Sequence, residues 1–227
     1  MIRFNIITIF PEAFDSYFNS SLLKKAQEKG LIKINFINPR DFTTDKHKTV
    51  DERPFGGGPG MVMKIEPIFK AVKAIQNKIK GKKARIILFS VKGKKFEQKT
   101  AERLAKYQNL IMICGHYEGI DERTVKYIAD EEISIGDYVL TGGEIPAMIL
   151  VDAVSRLIPG VLGKEESIET KRWQKEFKGE LISCPVYSRP AVFYPEPKNQ
   201  KKKWLVPKVL LSGDHKKIKE WRRRNRK

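Results

Sequence analysis

The run Ile133-Ser134-Ile135-Gly136-Asp137-Tyr138-Val139-Leu140-Thr141-Gly142-Gly143-Glu144 starts like a strand, ends on paired glycines and precedes a long apolar helical pattern from Pro146. Such a run can wrap a small ligand in backbone N–H and C=O groups, because glycine admits φ > 0 and close approach. A Gly-Gly pair alone reads as a tight strand-to-helix turn. Two further segments tip the balance: Ser90-Val91-Lys92-Gly93 and Gly115-His116-Tyr117-Glu118-Gly119, each after a predicted strand. In open α/β sheets the ligand lies outside the carboxyl ends of the strands. A fourth glycine-rich run, Gly56-Gly57-Gly58-Pro59-Gly60, sits in a long loop with charged flanks, as binding loops do. It lacks the Lys-Ser/Thr ending of a phosphate-binding loop, and no segment has the G-x-G-x-x-G spacing of a dinucleotide fold. His47, in the same loop, reads as solvated or phosphate-facing rather than as a base.

The elements that must position these loops alternate. Arg3 to Ile9 reads as a strand, Glu12 to Lys29 as a helix closed by Gly30, and Leu31 to Ile37 as a second strand. Further along, helical periodicity covers Glu66 to Lys80, Phe96 to Lys106, Glu122 to Tyr127 and Ile145 to Leu157. Strands are predicted at Arg85 to Phe89 and at Leu110 to Cys114, the latter apolar throughout as a buried central strand is. This order predicts an α/β fold with a parallel sheet covered by helices on both faces. Gly163 to Lys178 is charged and short of aliphatic anchors, and reads as a linker. Cys184 to Pro190 is extended because its prolines forbid a helix, and a basic helix is predicted at Lys216 to Arg224.

The chain has 227 residues, of which 41% are hydrophobic, enough for a substantial core. No apolar run approaches the length of a membrane span and the N-terminus lacks the order of a signal peptide, so a cytoplasmic protein with no membrane partner is expected. Cys114 and Cys184 make neither a disulfide framework nor a metal site. The formal charge is +18. From Lys164 onward there are 19 basic and 8 acidic residues. A balance this basic favours a polyanion partner, with nucleic acid first. A lysine-rich solvated surface is the plain alternative.

The motifs Pro39-Arg40-Asp41-Phe42, Arg53-Pro54-Phe55-Gly56-Gly57-Gly58-Pro59-Gly60-Met61, Cys114-Gly115-His116-Tyr117-Glu118-Gly119-Ile120-Asp121-Glu122-Arg123, Ser134 to Leu140 and Leu211-Ser212-Gly213-Asp214-His215 occur in that order. In this the chain resembles the bacterial tRNA (guanine-N1)-methyltransferases of the SPOUT class, from Met1 to about Arg222. The resemblance implies a trefoil-knotted α/β domain with a parallel sheet, a small helical C-terminal domain and a homodimer with its active site between subunits. It implies S-adenosylmethionine as methyl donor, and as product 1-methylguanosine at tRNA position 37, after another G. Cofactor contacts would come from Phe89, Ser90, Gly115, Tyr117, Glu118, Gly119, Ser134, Ile135, Gly136, Asp137, Tyr138, Val139, Leu140, Gly142, Gly143 and Pro146. Asp51, Gly56, Gly57, Gly58, Gly60 and Arg189 would bind the substrate. Arg156 would stabilise the guanine oxygen, and Glu118 matches a carboxylate tied to a magnesium requirement. The organisation expected is a catalytic domain at 1–163, a linker at 164–183 and a basic tRNA-binding region at 184–227, shortened relative to the family.

The chain departs from the family pattern at the general base. Family members carry an aspartate shortly after the turn matched by Gly160 to Gly163, and this chain has no aspartate between Asp152 and Asp214. Glu169 and Glu176 are the candidate replacements. Two alternatives therefore stand beside the main reading: a SPOUT RNA methyltransferase with another target nucleotide, and a catalytically impaired RNA-binding homologue.

Overall fold

The structure, a computed structural model, describes residues 1–79, 83–162, 184–196 and 202–225. The chain divides into two compact units, Met1–Ile168 and Glu169–Lys227. Residues 163–183, which hold the predicted linker and both Glu169 and Glu176, lie outside the described residues.

The first unit is built on a five-stranded sheet. Its strands are β1 (Ile2–Ile7), β2 (Ile32–Ile37), β5 (Ala84–Lys95), β6 (Asn109–Ile113) and β7 (Glu131–Ser134), in the order β2-β1-β6-β5-β7. All four pairings are parallel, as the alternating sequence pattern predicts. Central strand β6 is buried along its whole length, and its side chains alternate between two cores. Leu110 and Met112 enter one, with α1 (Asp15–Phe18), α2 (Ser21–Glu28), α4 (Gln98–Leu104) and α6 (Glu144–Ser155). Ile111 and Ile113 enter the other, under α3 (Ile65–Ile79). Helix α3 buries Ile68, Ala71, Val72 and Ile75, the i, i+3, i+4, i+7 stripe of an amphipathic helix. Truncating a side chain such as Met112 would cost about 2–5 kcal/mol through lost burial and the cavity left behind.

Two predicted elements differ. The helix expected over Glu12 to Lys29 is a 3-10 turn at Pro11–Phe14 followed by α1 and α2, with a break at Asn19 and Ser20. Gly30 ends α2 at φ +65, as predicted. The strand expected to end at Phe89 continues to Lys95, with a register shift against β7 between Phe89 and Lys94. Gly93 is what permits it: a Cβ there would lie 2.6 Å from the Ile133 backbone. Ser90 to Gly93 is therefore the irregular middle of a long strand rather than a loop after a short one.

The long glycine-rich loop is also more ordered than a loop. Strands β3 (Asp51–Glu52) and β4 (Val62–Met63) pair antiparallel, so Arg53 to Met61 forms the tip of a hairpin. Gly56, Gly57, Gly58 and Gly60 all have positive φ, and Phe55 is fully exposed. Helix α5 (Glu122–Tyr127) begins at Asp121, whose side chain caps the Arg123 amide.

In the second unit a short hairpin pairs β8 (Val192–Phe193) with β9 (Trp204–Leu205). Helices α7 (Lys208–Leu211) and α8 (His215–Arg224) follow. Asp214 caps α8 by accepting from the Lys216 and Lys217 amides. Cys184 is buried against α8 and donates to the Arg222 carbonyl at 3.2 Å.

Candidate functional site

The carboxyl ends of β6 and β7, with the irregular middle of β5, open into a pocket of about 260 Å³. Leu88 to Lys92, Gly115 to Ile120 and a third wall from Ser134 to Pro146 line it. The three glycine-bearing segments singled out in the sequence thus converge on one place. Of the cofactor contacts expected there, Phe89, Ser90, Gly115, Tyr117, Glu118, Gly119, Ser134, Ile135, Gly136, Tyr138, Leu140, Gly142, Gly143 and Pro146 line the pocket. Asp137 and Val139 are not among the lining residues. Asp137 pairs with Lys95, and the Val139 side chain is exposed.

Two glycines hold the walls at van der Waals distance. The Gly143 amide donates to the Gly115 carbonyl at 2.9 Å, and a Cβ on Gly143 would sit 2.5 Å from Cys114 Cα. A Cβ on Gly142 would sit 2.3 Å from His116 Nε2. The turn from Ser134 is closed by its own hydroxyl, which donates to the Gly136 carbonyl at 3.0 Å. Tyr117, a non-glycine residue at φ 60, projects partly exposed at the pocket.

Behind the walls lies a polar network that motif reading did not identify. Buried Glu144, the first residue of α6, accepts from the Thr8 hydroxyl at 2.6 Å and contacts His116 Nε2 at 2.7 Å. His116 meets the edge of Phe10 at a centroid distance of 4.9 Å, and Thr8 Oγ1 accepts from the Phe10 amide. The carboxylate thereby ties the end of β1 to both the Gly115 and the Gly142 segments. The only sequence signal was the presence of His116 and Glu144 within glycine-rich motifs. Neighbouring Cys114 is wholly buried, and burial pushes its thiol well above the usual range, so it is no nucleophile.

The glycine-rich hairpin abuts this pocket through Glu118. The Glu118 amide donates to Met61 O at 3.0 Å, and a Cβ on Gly60 would meet Glu118 Cγ at 2.3 Å. The Met63 amide donates to Gly119 O at 2.9 Å. Asp51 and Gly56 to Gly60 thus belong to a hairpin beside the pocket rather than to its lining. Glu118 shares the lining with Glu122. Among the described residues no three His, Cys, Asp or Glu side chains converge as a metal site.

Arg156 stands apart. It is the C-cap of α6, at the opposite end of the helix from the pocket. Near it, the Tyr17 hydroxyl donates a hydrogen bond to Asp152. That bond, with burial second, pushes the Tyr17 hydroxyl up to about 12. Arg189 belongs to the second unit.

The sequence and the architecture have counterparts among known proteins. The family model for tRNA (Guanine-1)-methyltransferase TrmD matches residues 2–227. A tRNA (guanine-N(1)-)-methyltransferase of Carboxydothermus hydrogenoformans is 53% identical over 98% of this chain and 82% of its own length. The protein of the same name from Clostridioides difficile is 49% identical over 98% of this chain and 91% of its own. The crystal structure of tRNA (m1G37) methyltransferase from Aquifex aeolicus superposes with a TM-score of 0.76 at 37% identity, covering 97% of this chain and 87% of that one.

Proposed function

This chain belongs to the tRNA (guanine-1)-methyltransferase family, and from that premise we propose that it methylates N1 of guanosine 37 in tRNA, where that base follows another guanosine. The observation that carries the reading is the pocket: three backbone-rich walls with two glycines too tightly packed to bear a Cβ. Membership of a methyltransferase family implies S-adenosylmethionine as donor, and the pocket's residues fit it. A nucleoside can be held there by amides and carbonyls, with Leu140, Pro146 and Phe89 as apolar contacts. When bound, the donor supplies a methyl group already activated by its sulfonium.

The rest of the chemistry falls to the protein. The N1–H of guanine is too weakly acidic to leave unaided, so a carboxylate must take that proton while a cation steadies the charge developing at O6. We assign the cation to Arg156 and the carboxylate to Glu169 or Glu176. Asp51, the Gly56 to Gly60 tip and Arg189 would hold the guanine edge. Glu118 would supply a magnesium ion with a single carboxylate ligand, and the ion would add positive charge beside the reacting groups.

The placement of Arg156 supports a homodimer. Helix α6 has 12 residues, so its two ends lie roughly 18 Å apart. The Arg156 of one copy would then serve the pocket of its partner. The exposed Ile145, Ile149 and Tyr17 offer apolar surface for that contact. A trefoil knot would explain why the Gly115 and Gly142 segments lie so close. No helix among the described residues is long and apolar enough to cross a membrane, and a cytoplasmic setting follows from the tRNA substrate.

The test is methyl transfer from labelled S-adenosylmethionine to a tRNA transcript with G36-G37, beside one with A at 37. Incorporation into the first alone bears the reading out. Equal incorporation into both points to another target nucleotide, and none into either, with donor still bound, to an impaired RNA-binding protein. Glu169→Gln and Glu176→Gln, singly and together, then identify the base. Unchanged turnover in the double variant would exclude both glutamates.

A further inference from the structure

A second cavity, of about 420 Å³, lies where the first half of β5, the end of β5, α4 and β7 meet. Its walls carry four cations, Arg85, Lys94, Lys95 and Arg103, and one carboxylate, Glu131. The hydroxyl groups of Thr100 and Tyr107 complete the polar lining.

Glu131 organises the site. Its Oε1 accepts from Arg85 Nε at 2.9 Å and from Arg103 at 3.1 Å, while Oε2 accepts from Arg103 at 2.6 Å. Glu131 therefore fixes two guanidinium groups in place, and Arg85 is held further by the Asp130 carbonyl at 3.2 Å and, more loosely, by the Asp130 carboxylate at 3.9 Å. Arg103 gives two of its five N–H donors to Glu131 and also bonds the Tyr107 side chain, which leaves donors for a further oxygen acceptor. Lys94 is exposed on the strand and has no ion-pair partner among the described residues. The Lys83 ammonium sits 4.7 Å from the centroid of the Tyr107 ring, which lines the cavity. Five cations here face three carboxylates, Glu131, Asp130 on Arg85 and Asp137 on Lys95, and a concave site with fixed guanidinium groups and this surplus of positive charge matches an oxyanion with several acceptor oxygens.

We propose that this cavity is a phosphate-binding site that holds one or two backbone phosphodiesters of the RNA substrate away from the methyl-transfer pocket. The proposal rests on the tRNA reading above for the identity of the polyanion. It adds an anchoring point on the first unit itself, where the sequence placed its basic excess mainly beyond Lys164. The site contributes to affinity and not to the choice of base, because phosphate contacts position an RNA without reading it.

The test substitutes Lys94→Glu and compares it with Lys78→Glu, an equal charge change on α3, on the opposite face of the sheet. Affinity for the tRNA transcript is measured from low to moderate salt, and S-adenosylmethionine binding reports the integrity of the methyl-transfer pocket. Releasing one phosphate from the protein should reduce the slope of log affinity against log salt by about 0.7–0.9. We expect Lys94→Glu to weaken tRNA binding about tenfold near 0.1 M salt and to flatten that slope by about one, with cofactor binding unchanged. Lys78→Glu should move neither by more than about twofold. Equal behaviour of the two variants would overturn the proposal. If the unsubstituted protein neither binds nor methylates tRNA, the function above fails instead. The cavity is then judged by titrating inorganic phosphate against isotope-labelled protein. Shifts at the Lys94, Lys95 and Thr100 amides that vanish in Lys94→Glu uphold an oxyanion site, and their absence rejects it.

Discussion

Leu88 to Lys92 of β5 line the glycine-walled pocket, while Arg85, Lys94 and Lys95 of the same strand line the basic cavity. The first site is made of backbone. Its walls close on each other through the Gly143 amide and the Gly115 carbonyl, and glycine is required where Cys114 and His116 press in. The second is made of side chains, with Glu131 holding Arg85 and Arg103. A backbone site tolerates little change of shape but is indifferent to salt. A charged side-chain site tolerates changes of shape, and it weakens as salt screens it. If the two differ in this way, substitutions should separate cofactor binding from RNA binding.

The largest separation is expected from Gly143→Ala. The added methyl would lie 2.5 Å from Cys114 Cα, a backbone atom that cannot swing aside. The loops must part, and affinity for S-adenosylmethionine should fall by about a hundredfold or more, as misplacing a positioned site by an ångström does. The salt slope of tRNA binding should stay as it was. Calorimetry for the cofactor and filter binding for the RNA check the two halves. A variant that binds cofactor normally would mean the walls are not preorganised.

Glu144→Ala comes next. It strands the Thr8 hydroxyl and His116 Nε2 in a buried site, at a cost of about 1–3 kcal/mol each. We expect a clear drop in Tm and a cofactor affinity about tenfold weaker. Glu144→Gln, which keeps an acceptor for Thr8, should recover part of both. If Gln and Ala behave alike, the carboxylate is not what holds the Gly115 and Gly142 segments.

How much of this was legible follows the same division. The glycine walls were readable because the demand for glycine is local, and runs such as Gly115 to Gly119 declare it within five residues. Parallel topology was readable from the apolar run Leu110 to Ile113 and the alternation around it. The continuation of β5 was not, because Gly93 looks like a strand breaker until Ile133 is seen pressed against its α-carbon. Thr8 and Glu144 stand 136 residues apart, and no spacing rule links them. The basic cavity was hidden for a related reason. Arg85, Lys94 and Arg103 resemble a solvated lysine-rich surface until α4 and β7 bring them around Glu131. Arg156 was recognisable by motif, but its distance from the pocket only appears once α6 is laid out.

The acid limb of stability should sharpen the second half of the comparison. Burial alone would raise the Glu131 carboxyl, but the hydrogen bonds and charges of Arg103 and Arg85 outweigh it and hold the group below its ordinary value of 4.5. A depressed carboxylate stabilises the fold fully above its unfolded value, and that contribution is lost as pH falls through the folded one. Glu131→Gln should therefore be less stable than the parent at neutral pH, by about 1–3 kcal/mol. The two should converge as the pH drops below 4.5. Urea unfolding across this range measures the difference, and other depressed carboxylates such as Asp121 cancel because both proteins carry them. A gap that stayed constant down to acid pH would mean that Glu131 acts by packing.

The smallest effect is predicted where the two sites touch. Lys95 lines the basic cavity, and its ammonium pairs with Asp137 of the Ser134 to Pro146 wall. Both side chains are largely exposed, at 59% and 79%, and exposed pairs of this kind contribute about 0–1 kcal/mol. Asp137→Asn should leave stability within about 0.5 kcal/mol of the parent and cofactor affinity within about twofold. It frees the Lys95 charge, so tRNA binding at low salt should strengthen slightly, and the gain should disappear as salt rises. Cofactor affinity changed by tenfold would instead mean that this one pair sets the conformation of the wall. The glycine-walled pocket and the basic cavity would then be coupled through Lys95, and RNA bound at one would alter the other.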